Sequence, residues 1–299
     1  MTTECGRRAG AARTATVSRW LPFSCVDGPG NRLVLFLQGC NFACSGCHNP
    51  HTIGLCDHCG DCVPGCPSGA LTLHEGRVSW QAARCTDCDA CLDACPRSAS
   101  PKTAVMTVTE VLALLRRYGP LLTGITVSGG EATTQLPFVI ALFTAIKGAP
   151  DLAHLDCLLD SNGSLAEAGW QRLLPVLDGA MIDLKGWGDA VHHKLTGYGR
   201  ERVLASLQLL AQAGKLAEVR LLQVPGQSDY LAADGTLESG LATFLRALGP
   251  VPIRLNGFRH HGVRGAAQGW SEATREELEQ LAAALAVAGL GPVSLPPLL

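Results

Sequence analysis

With 299 residues, the chain is long enough for one large domain or for a large domain carrying a small one. Hydrophobic residues make up 47% and charged residues 17%, which fits a well-buried α/β core and excludes disorder as the dominant state. The formal net charge of −2 offers no electrostatic footprint for nucleic acid, and no apolar run approaches the length of a membrane span.

The N-terminal residues 1–16 are polar and contain arginine. They lack the apolar stretch of a secretory signal and are expected to form a flexible tail. The chain has 14 cysteines, but it is too long for a disulfide-stapled mini-domain and most of them lie in metal-ligand spacings. The expectation is a reducing cytoplasm and oxygen-labile clusters. Cys5, Cys25 and Cys157 fall outside those spacings. Cys157 sits in an apolar run and reads as a core residue, and the other two receive no role.

The turn-rich segment 26–32, VDGPGNR, precedes the apolar run 32–38, RLVLFLQ, which reads as a strand. That run leads straight into residues 39–50, GCNFACSGCHNP, with Cys40, Cys44 and Cys47. Three thiolates this close cannot complete a four-ligand zinc site without a distant fourth partner. They can hold three irons of a [4Fe–4S] cluster and leave the fourth iron open to a substrate. A zinc knuckle is the alternative reading of the same spacing.

An insertion follows. Cys56, Cys59, Cys62 and Cys66 repeat the pattern of Cys85, Cys88, Cys91 and Cys95, each C-x2-C-x2-C-x3-C-P, the bacterial ferredoxin spacing. In that arrangement the fourth cysteine of each run serves the other cluster. Cys56, Cys59, Cys62 and Cys95 are therefore expected around one [4Fe–4S] cluster, and Cys85, Cys88, Cys91 and Cys66 around a second. Between them, ALTLHEGRVSW reads as a hairpin turning at Glu75-Gly76. The ferredoxin-like module is expected over residues 55–100, spliced into a larger domain formed by residues 17–54 and 101–299.

Beyond the module the chain alternates. Helical spacing over 108–118 precedes a strand at 124–128 that ends in Gly129-Gly130-Glu131. A helix over 135–146 precedes a strand at 155–159 that ends in Asp160-Ser161-Asn162. A helix over 165–177 precedes a strand at 180–184 carrying Asp183-Leu184-Lys185. A helix over 202–213, a strand over 218–224 with Arg220, a helix over 236–248, a strand over 253–258 and a helix over 271–288 complete the chain. Counting the first strand, six strands alternate with helices, which reads as a parallel α/β sheet. Six are too few for a closed eight-stranded barrel, so an open, partial (β/α)6 barrel is predicted.

The CxxxCxxC run after a first strand resembles the signature of the radical S-adenosylmethionine (SAM) enzymes. The longer run SCVDGPGNRLVLFLQGCNFACSGCHNP resembles the glycyl-radical-enzyme activases, and from about Trp20 onward the chain is similar to their YjjW-like branch. The resemblance implies that the 26–32 turn faces a protein substrate near the active site. It also implies that Gly46, Cys47, His48, Gly129, Gly130, Glu131, Asp183, Leu184 and Lys185 lie along the SAM site. Asp160 and Asn162, at a strand end, could hydrogen-bond ribose or carboxylate, and Arg220, mid-strand in an apolar run, calls for a carboxylate from SAM, Asp183 or Glu131. The glycines are expected to let the backbone approach the ligand, with Glu131 supporting a clamp on the methionine amino group. Two departures stand out. The family usually has an aromatic residue just before the last cysteine, where this chain has Gly46. It also places a histidine near the adenosine at a position matched here by Arg259, so His260 or His261 would have to replace it. His192 and His193 read as surface residues.

The activity so implied is reductive cleavage of SAM to methionine and a 5′-deoxyadenosyl radical, which takes a hydrogen from a glycine Cα of a partner enzyme. No side-chain acid or base is required. The cofactors are three [4Fe–4S] clusters and SAM. The partners are a glycyl-radical enzyme, with a YjjI-like companion implied, and a flavodoxin or ferredoxin donor. A radical SAM enzyme acting on a small molecule or peptide is one alternative, and a ferredoxin-like electron-transfer protein with an idle barrel is another.

Overall fold

A near-continuous apolar run is what a strand needs when both of its faces are buried. The computed structural model describes residues 13–296. Its first strand, β1 (Thr14–Ser24), runs antiparallel to β2 (Arg32–Leu37), which is buried at five of its six positions. The chain then leaves the sheet for a hairpin, β3 (Leu71–His74) and β4 (Arg77–Trp80), and a one-turn helix, α1 (Ala90–Asp93). It returns at β5 (Ala104–Thr107). Helices and strands alternate from there: α2 (Val108–Tyr118), β6 (Gly124–Gly129), α3 (Leu136–Gly148), β7 (Asp156–Ser161), α4 (Glu167–Leu173), β8 (Gly179–Leu184), α5 (Asp189–Thr196), α6 (Glu201–Gln212), β9 (Leu216–Gln223), α7 (Ser239–Ala247), β10 (Ile253–Gly257), α8 (Arg275–Val287) and β11 (Val293–Ser294).

The sheet order is β11-β10-β9-β8-β7-β6-β2-β1-β5. The six strands read from the sequence are the contiguous parallel block from β10 to β2. The sheet has nine strands, so the six-stranded expectation is corrected by three strands flanking that block: β11 at one edge, and β1 followed by the edge strand β5 at the other. They escaped detection for physical reasons. The two-residue β11 is too short for any period, and β5 exposes Ala104 and Val105 at the outer edge. In β1 only Ala15, Val17 and Ser24 are buried, so no clean alternation marks it. Thr14–Thr16 open this strand although they fall within the expected tail, and residues 1–12 of that tail lie outside the described residues. With β5 and β11 as separate edges, the barrel-like sheet stays open.

Local signals explain the helix limits. Thr107 and Glu110 form a reciprocal capping box that starts α2 at Val108, and Thr274 with Glu277 does the same for α8. That second cap is why α8 begins at Arg275 and not at the predicted Ser271.

The inserted segment packs on a small core of its own, with Cys62, Leu71, Cys91 and Leu92 buried together. Its two ends meet: the Gly54 N–H donates to the Ser98 carbonyl at 2.8 Å. At the hairpin tip Glu75 (φ 49°) and Gly76 (φ 71°) both take positive φ, the pair a type I′ turn demands.

The α5 helix carries a correction. His192, expected at the surface, is fully buried. Its Nδ1–H donates to the Tyr198 carbonyl at 2.8 Å, while Nε2 is buried without a partner among the described residues. Burial holds its pKa below the usual histidine value. The unfolded chain, with an ordinary pKa of about 6.5, takes up the proton first. The stability linked to neutral His192 is therefore present above about pH 6.5 and is lost as the pH falls below it, at up to about 1.4 kcal/mol per pH unit. We expect guanidinium unfolding between pH 7 and pH 5 to show this loss and His192→Gln to flatten it. Equal pH slopes for both proteins would contradict the assignment.

Candidate functional site

In a parallel sheet every strand delivers its C-terminal end to the same edge, and ligands collect there. Here the ends of β2, β6, β7, β8, β9 and β10 surround one cavity of about 770 Å³. Cys40, Cys44 and Cys47 line it from the loop after β2. The shape of that loop is held by backbone and amide contacts that do not involve the sulfurs. Gly39 and Cys40 donate to the carbonyls of Thr52 and Ile53 at 2.8 and 2.9 Å. The buried Gln38 amide donates to the carbonyls of His51 and Gly54, both at 2.7 Å. Ala43 N and Ser45 N donate to Thr196 O and Leu195 O at the C-terminal end of α5, each at 3.0 Å.

The three thiols suit an iron–sulfur centre. Burial pushes the Cys40 thiol up to about 12 and Cys44 up to about 11, so lone thiolates are disfavoured there and need a cation for company. The Phe42 N–H points at the Cys40 sulfur from 3.4 Å. Lys185 lines the same cavity. Burial opposes its charge, but Asp183, at 2.7 Å, and the nearby Cys44 and Cys47 sulfurs keep it protonated.

The Gly-Gly-Glu segment packs closely against the end of β2 and the loop that carries the cysteines. A Cβ at Gly129 would strike the Leu37 backbone, and one at Gly130 would lie 2.5 Å from Gly39 O and 2.6 Å from Thr52 O. The glycines thus permit close approach to Leu37 and to the cysteine loop, and both also line the cavity. Glu131 is buried and its carboxylate accepts four hydrogen bonds: from Thr133 N at 3.0 Å, Thr133 Oγ1 at 2.6 Å, Ser161 Oγ at 2.9 Å and Asn162 N at 2.7 Å. It ties the end of β6 to the end of β7.

Arg220 finds one carboxylate on its own strand and another on β7, two strands away. It pairs with Asp160 at 2.9 Å and Glu218 at 2.7 Å, and Ser128 Oγ donates to the other Asp160 oxygen at 3.0 Å. Burial works against the Arg220 charge, but Asp160 and Asp183 hold it protonated.

Of the expected SAM-site residues, Gly46, Cys47, His48, Gly129, Gly130, Glu131, Asp160, Asn162, Asp183, Lys185 and Arg220 all line the cavity. Leu184 and His260 do not. Leu184 points the other way, fully buried in the core behind the sheet, as strand alternation requires. His260 is turned outward, its Nε2 at 2.7 Å from Trp270 O, and Arg259 faces the cavity in its place. Sequence reasoning also missed which rings lie beside Gly46. A Cβ there would lie 2.9 Å from the Phe258 ring and 3.6 Å from Trp270. Phe258 is fully buried and Trp270 lines the cavity, their ring centroids 5.7 Å apart. The only signal in the sequence was the vacancy at Gly46 itself, since Trp270 lies in a loop without periodicity.

In the inserted segment, Cys56, Cys59, Cys62 and Cys95 line one small cavity, and Cys66, Cys85, Cys88 and Cys91 line another. Arg97 pairs with Asp57 beside the first, and Lys102 pairs with Asp89 at 2.5 Å beside the second. Arg264, from the loop after β10, donates to the Leu92 carbonyl at 3.0 Å and so links the barrel to this segment.

No helix among the described residues is long and apolar enough to cross a membrane. Residues 34–230 match the family described as the Radical SAM superfamily. The isethionate sulfite-lyase activating enzyme of Nitratidesulfovibrio vulgaris is 31% identical over 69% of this chain and 73% of its own length. The pyruvate formate-lyase-activating enzyme of Streptococcus mutans is 31% identical over 72% of this chain and 68% of its own. Among solved structures, Streptococcus suis SuiB bound to its precursor peptide SuiA shares the fold, with a TM-score of 0.54, 9% identity, and coverage of 88% of this chain and 48% of that one.

Proposed function

The chain belongs to the radical SAM superfamily and, within it, to the activating enzymes of glycyl-radical enzymes, and from this premise we propose that it installs the glycyl radical of a partner protein. The observation that carries the reading is the meeting of Cys40, Cys44 and Cys47 with the ends of six parallel strands in one cavity. These cysteines would hold a [4Fe–4S] cluster with one iron open to SAM. When bound, that cluster supplies the electron for reductive cleavage of SAM, whose 5′-deoxyadenosyl radical takes a glycine Cα hydrogen from the partner.

The protein's own residues position and shield. Glu131 locks the loops after β6 and β7 against each other. Asp183, Lys185, Asp160 and Arg220 place paired charges along the wall, where a zwitterionic ligand finds both signs. A cavity of about 770 Å³ must hold both the cluster and SAM, which leaves little room for a separate small-molecule substrate and favours a protein partner reached through the open sheet.

The inserted segment reads as a two-cluster ferredoxin-like module. The grouping of Cys95 with the first cysteine run and Cys66 with the second supports crossed ligation. Its fully ligated clusters would take electrons from a flavodoxin or ferredoxin.

The deciding experiment is electron paramagnetic resonance on reduced protein, SAM and a candidate glycyl-radical enzyme. A carbon-centred doublet that collapses when the partner carries Cα-deuterated glycine is the expected result. SAM cleavage that never yields a protein radical would favour a small-molecule substrate, and no cleavage with dithionite would favour electron transfer alone.

Trp270 is the ring available to the adenine next to Gly46. Trp270→Ala should weaken SAM binding on the order of tenfold, the usual worth of stacking a base on an aromatic. Iron content should be unchanged and Trp270→Phe should restore most of the affinity. Anaerobic titration calorimetry measures this, and equal dissociation constants for the wild type and the alanine variant would remove the role.

A further inference from the structure

The two cysteine cavities of the inserted segment are not equivalent, and the difference lies in the hairpin beside them. Val78 and Trp80 are two residues apart on β4 and share one face of it. Val78 lines the cavity of Cys56, Cys59, Cys62 and Cys95, whereas Trp80 lines that of Cys66, Cys85, Cys88 and Cys91. The Trp80 indole Nε1 is buried with no hydrogen-bond partner among the described residues. Indole has one donor and no acceptor, and leaving it unpaired in the interior costs about 1–3 kcal/mol. The side-chain acceptors lining this cavity are the four cysteine sulfurs, the hydroxyls of Ser68 and Thr86, and the Asp89 carboxylate, which Lys102 already engages.

On the other side Val78 offers no donor in the indole's place, and the side-chain donors lining that cavity are the Ser100 hydroxyl and Arg97. His58 lies beside it, its Nδ1 4.0 Å from Cys56 Sγ. That nitrogen accepts from the Val78 N–H at 3.2 Å, so it cannot also donate to the sulfur. Arg97 is occupied by Asp57 and Asp61. On the tryptophan side Lys102 is similarly taken up by Asp87 and Asp89.

We propose that Trp80 is a potential-tuning residue: its indole N–H donates to a sulfur of the iron–sulfur centre held by Cys66, Cys85, Cys88 and Cys91. That makes this centre easier to reduce than its twin held by Cys56, Cys59, Cys62 and Cys95. The physical basis is general. Reduction adds negative charge to the cluster, and a hydrogen bond to sulfur stabilises the more negative state and raises the potential. The inference rests on the two-cluster reading of the inserted segment. It adds that the internal repeat is electrically asymmetric, so the two centres have an order in which they fill with electrons.

The test is an anaerobic redox titration of the full-length, fully loaded protein followed by electron paramagnetic resonance, comparing wild type with Trp80→Phe. Phenylalanine keeps the ring and removes the donor. The expected result is unchanged iron content and a tenfold less favourable reduction of one centre, a drop of about 59 mV for a one-electron couple, with the other midpoints in place. Pulsed resonance of the reduced wild type should also show an exchangeable proton coupled to that centre, absent in the variant. If Trp80→Phe loses iron, benzothienylalanine at position 80 replaces N–H by sulfur in a near-identical ring and gives the same readout. Unchanged midpoints at a full complement of about twelve irons would overturn the tuning role alone. A wild-type protein that binds only about four irons would overturn the two-cluster reading, and the proposal with it.

Discussion

With Cys40, Cys44 and Cys47 all changed to alanine, the protein is expected to bind about eight irons in place of about twelve and to cleave no SAM. The loss should be confined to one cluster because none of these three cysteines lines either cavity of the inserted segment. The barrel should survive the change. The contacts that shape the cysteine loop run through backbone groups and Gln38, not through the sulfurs. Burial keeps Cys40 and Cys44 as neutral thiols in the metal-free chain, so replacing them by alanine removes no charge from the fold. Iron analysis, SAM cleavage with dithionite and a circular dichroism spectrum together decide the matter. A folded triple variant that still carries about twelve irons would place the open cluster elsewhere.

The second large effect concerns electron supply. Replacing Cys88 and Cys91 by alanine should disable the centre in the Cys66, Cys85, Cys88 and Cys91 cavity. SAM cleavage driven by dithionite should remain within about twofold of wild type, because a small reductant reaches the first cluster without help. Activity with flavodoxin or ferredoxin as donor should fall more than about tenfold, because tunnelling through the module would be interrupted. Cys91 belongs to the module's small core with Cys62, Leu71 and Leu92, so the substitution also removes packing, and cluster binding contributes to folding as other metal sites do. The barrel core is a separate cluster of side chains, so damage should stay local, and a dichroism control verifies it. A folded variant that turns over normally with a protein donor would leave the inserted segment as a docking or structural element.

Much of the site could be read from the chain because its determinants are local. The period-two reading of Asp183-Leu184-Lys185 puts the two charges on one side and Leu184 on the other, and the structure has Asp183 and Lys185 at the cavity and Leu184 in the core. Family resemblance pulled Leu184 into the site against that alternation, and the alternation was right. Gly129 and Gly130 read as points of close approach, and the structure brings the backbone of Leu37, Gly39 and Thr52 against them while both line the cavity. A glycine announces that something is near and says nothing of what.

Cysteine spacing, the alternation of the six parallel strands with their helices and the hairpin turn were determined by the sequence alone, since each depends on residues within a few positions of one another. Only the tertiary structure decided which groups meet across the sheet. Arg220 took Asp160, sixty residues away, as a partner; His192 was buried under the cysteine loop by a helix too short to show a face; and Phe258 with Trp270 filled the space beside Gly46 from more than two hundred residues downstream. Such choices follow from burial. A charge, an imidazole or an aromatic ring removed from water must find whatever partner the packed fold brings within reach, and no local pattern encodes which one that will be.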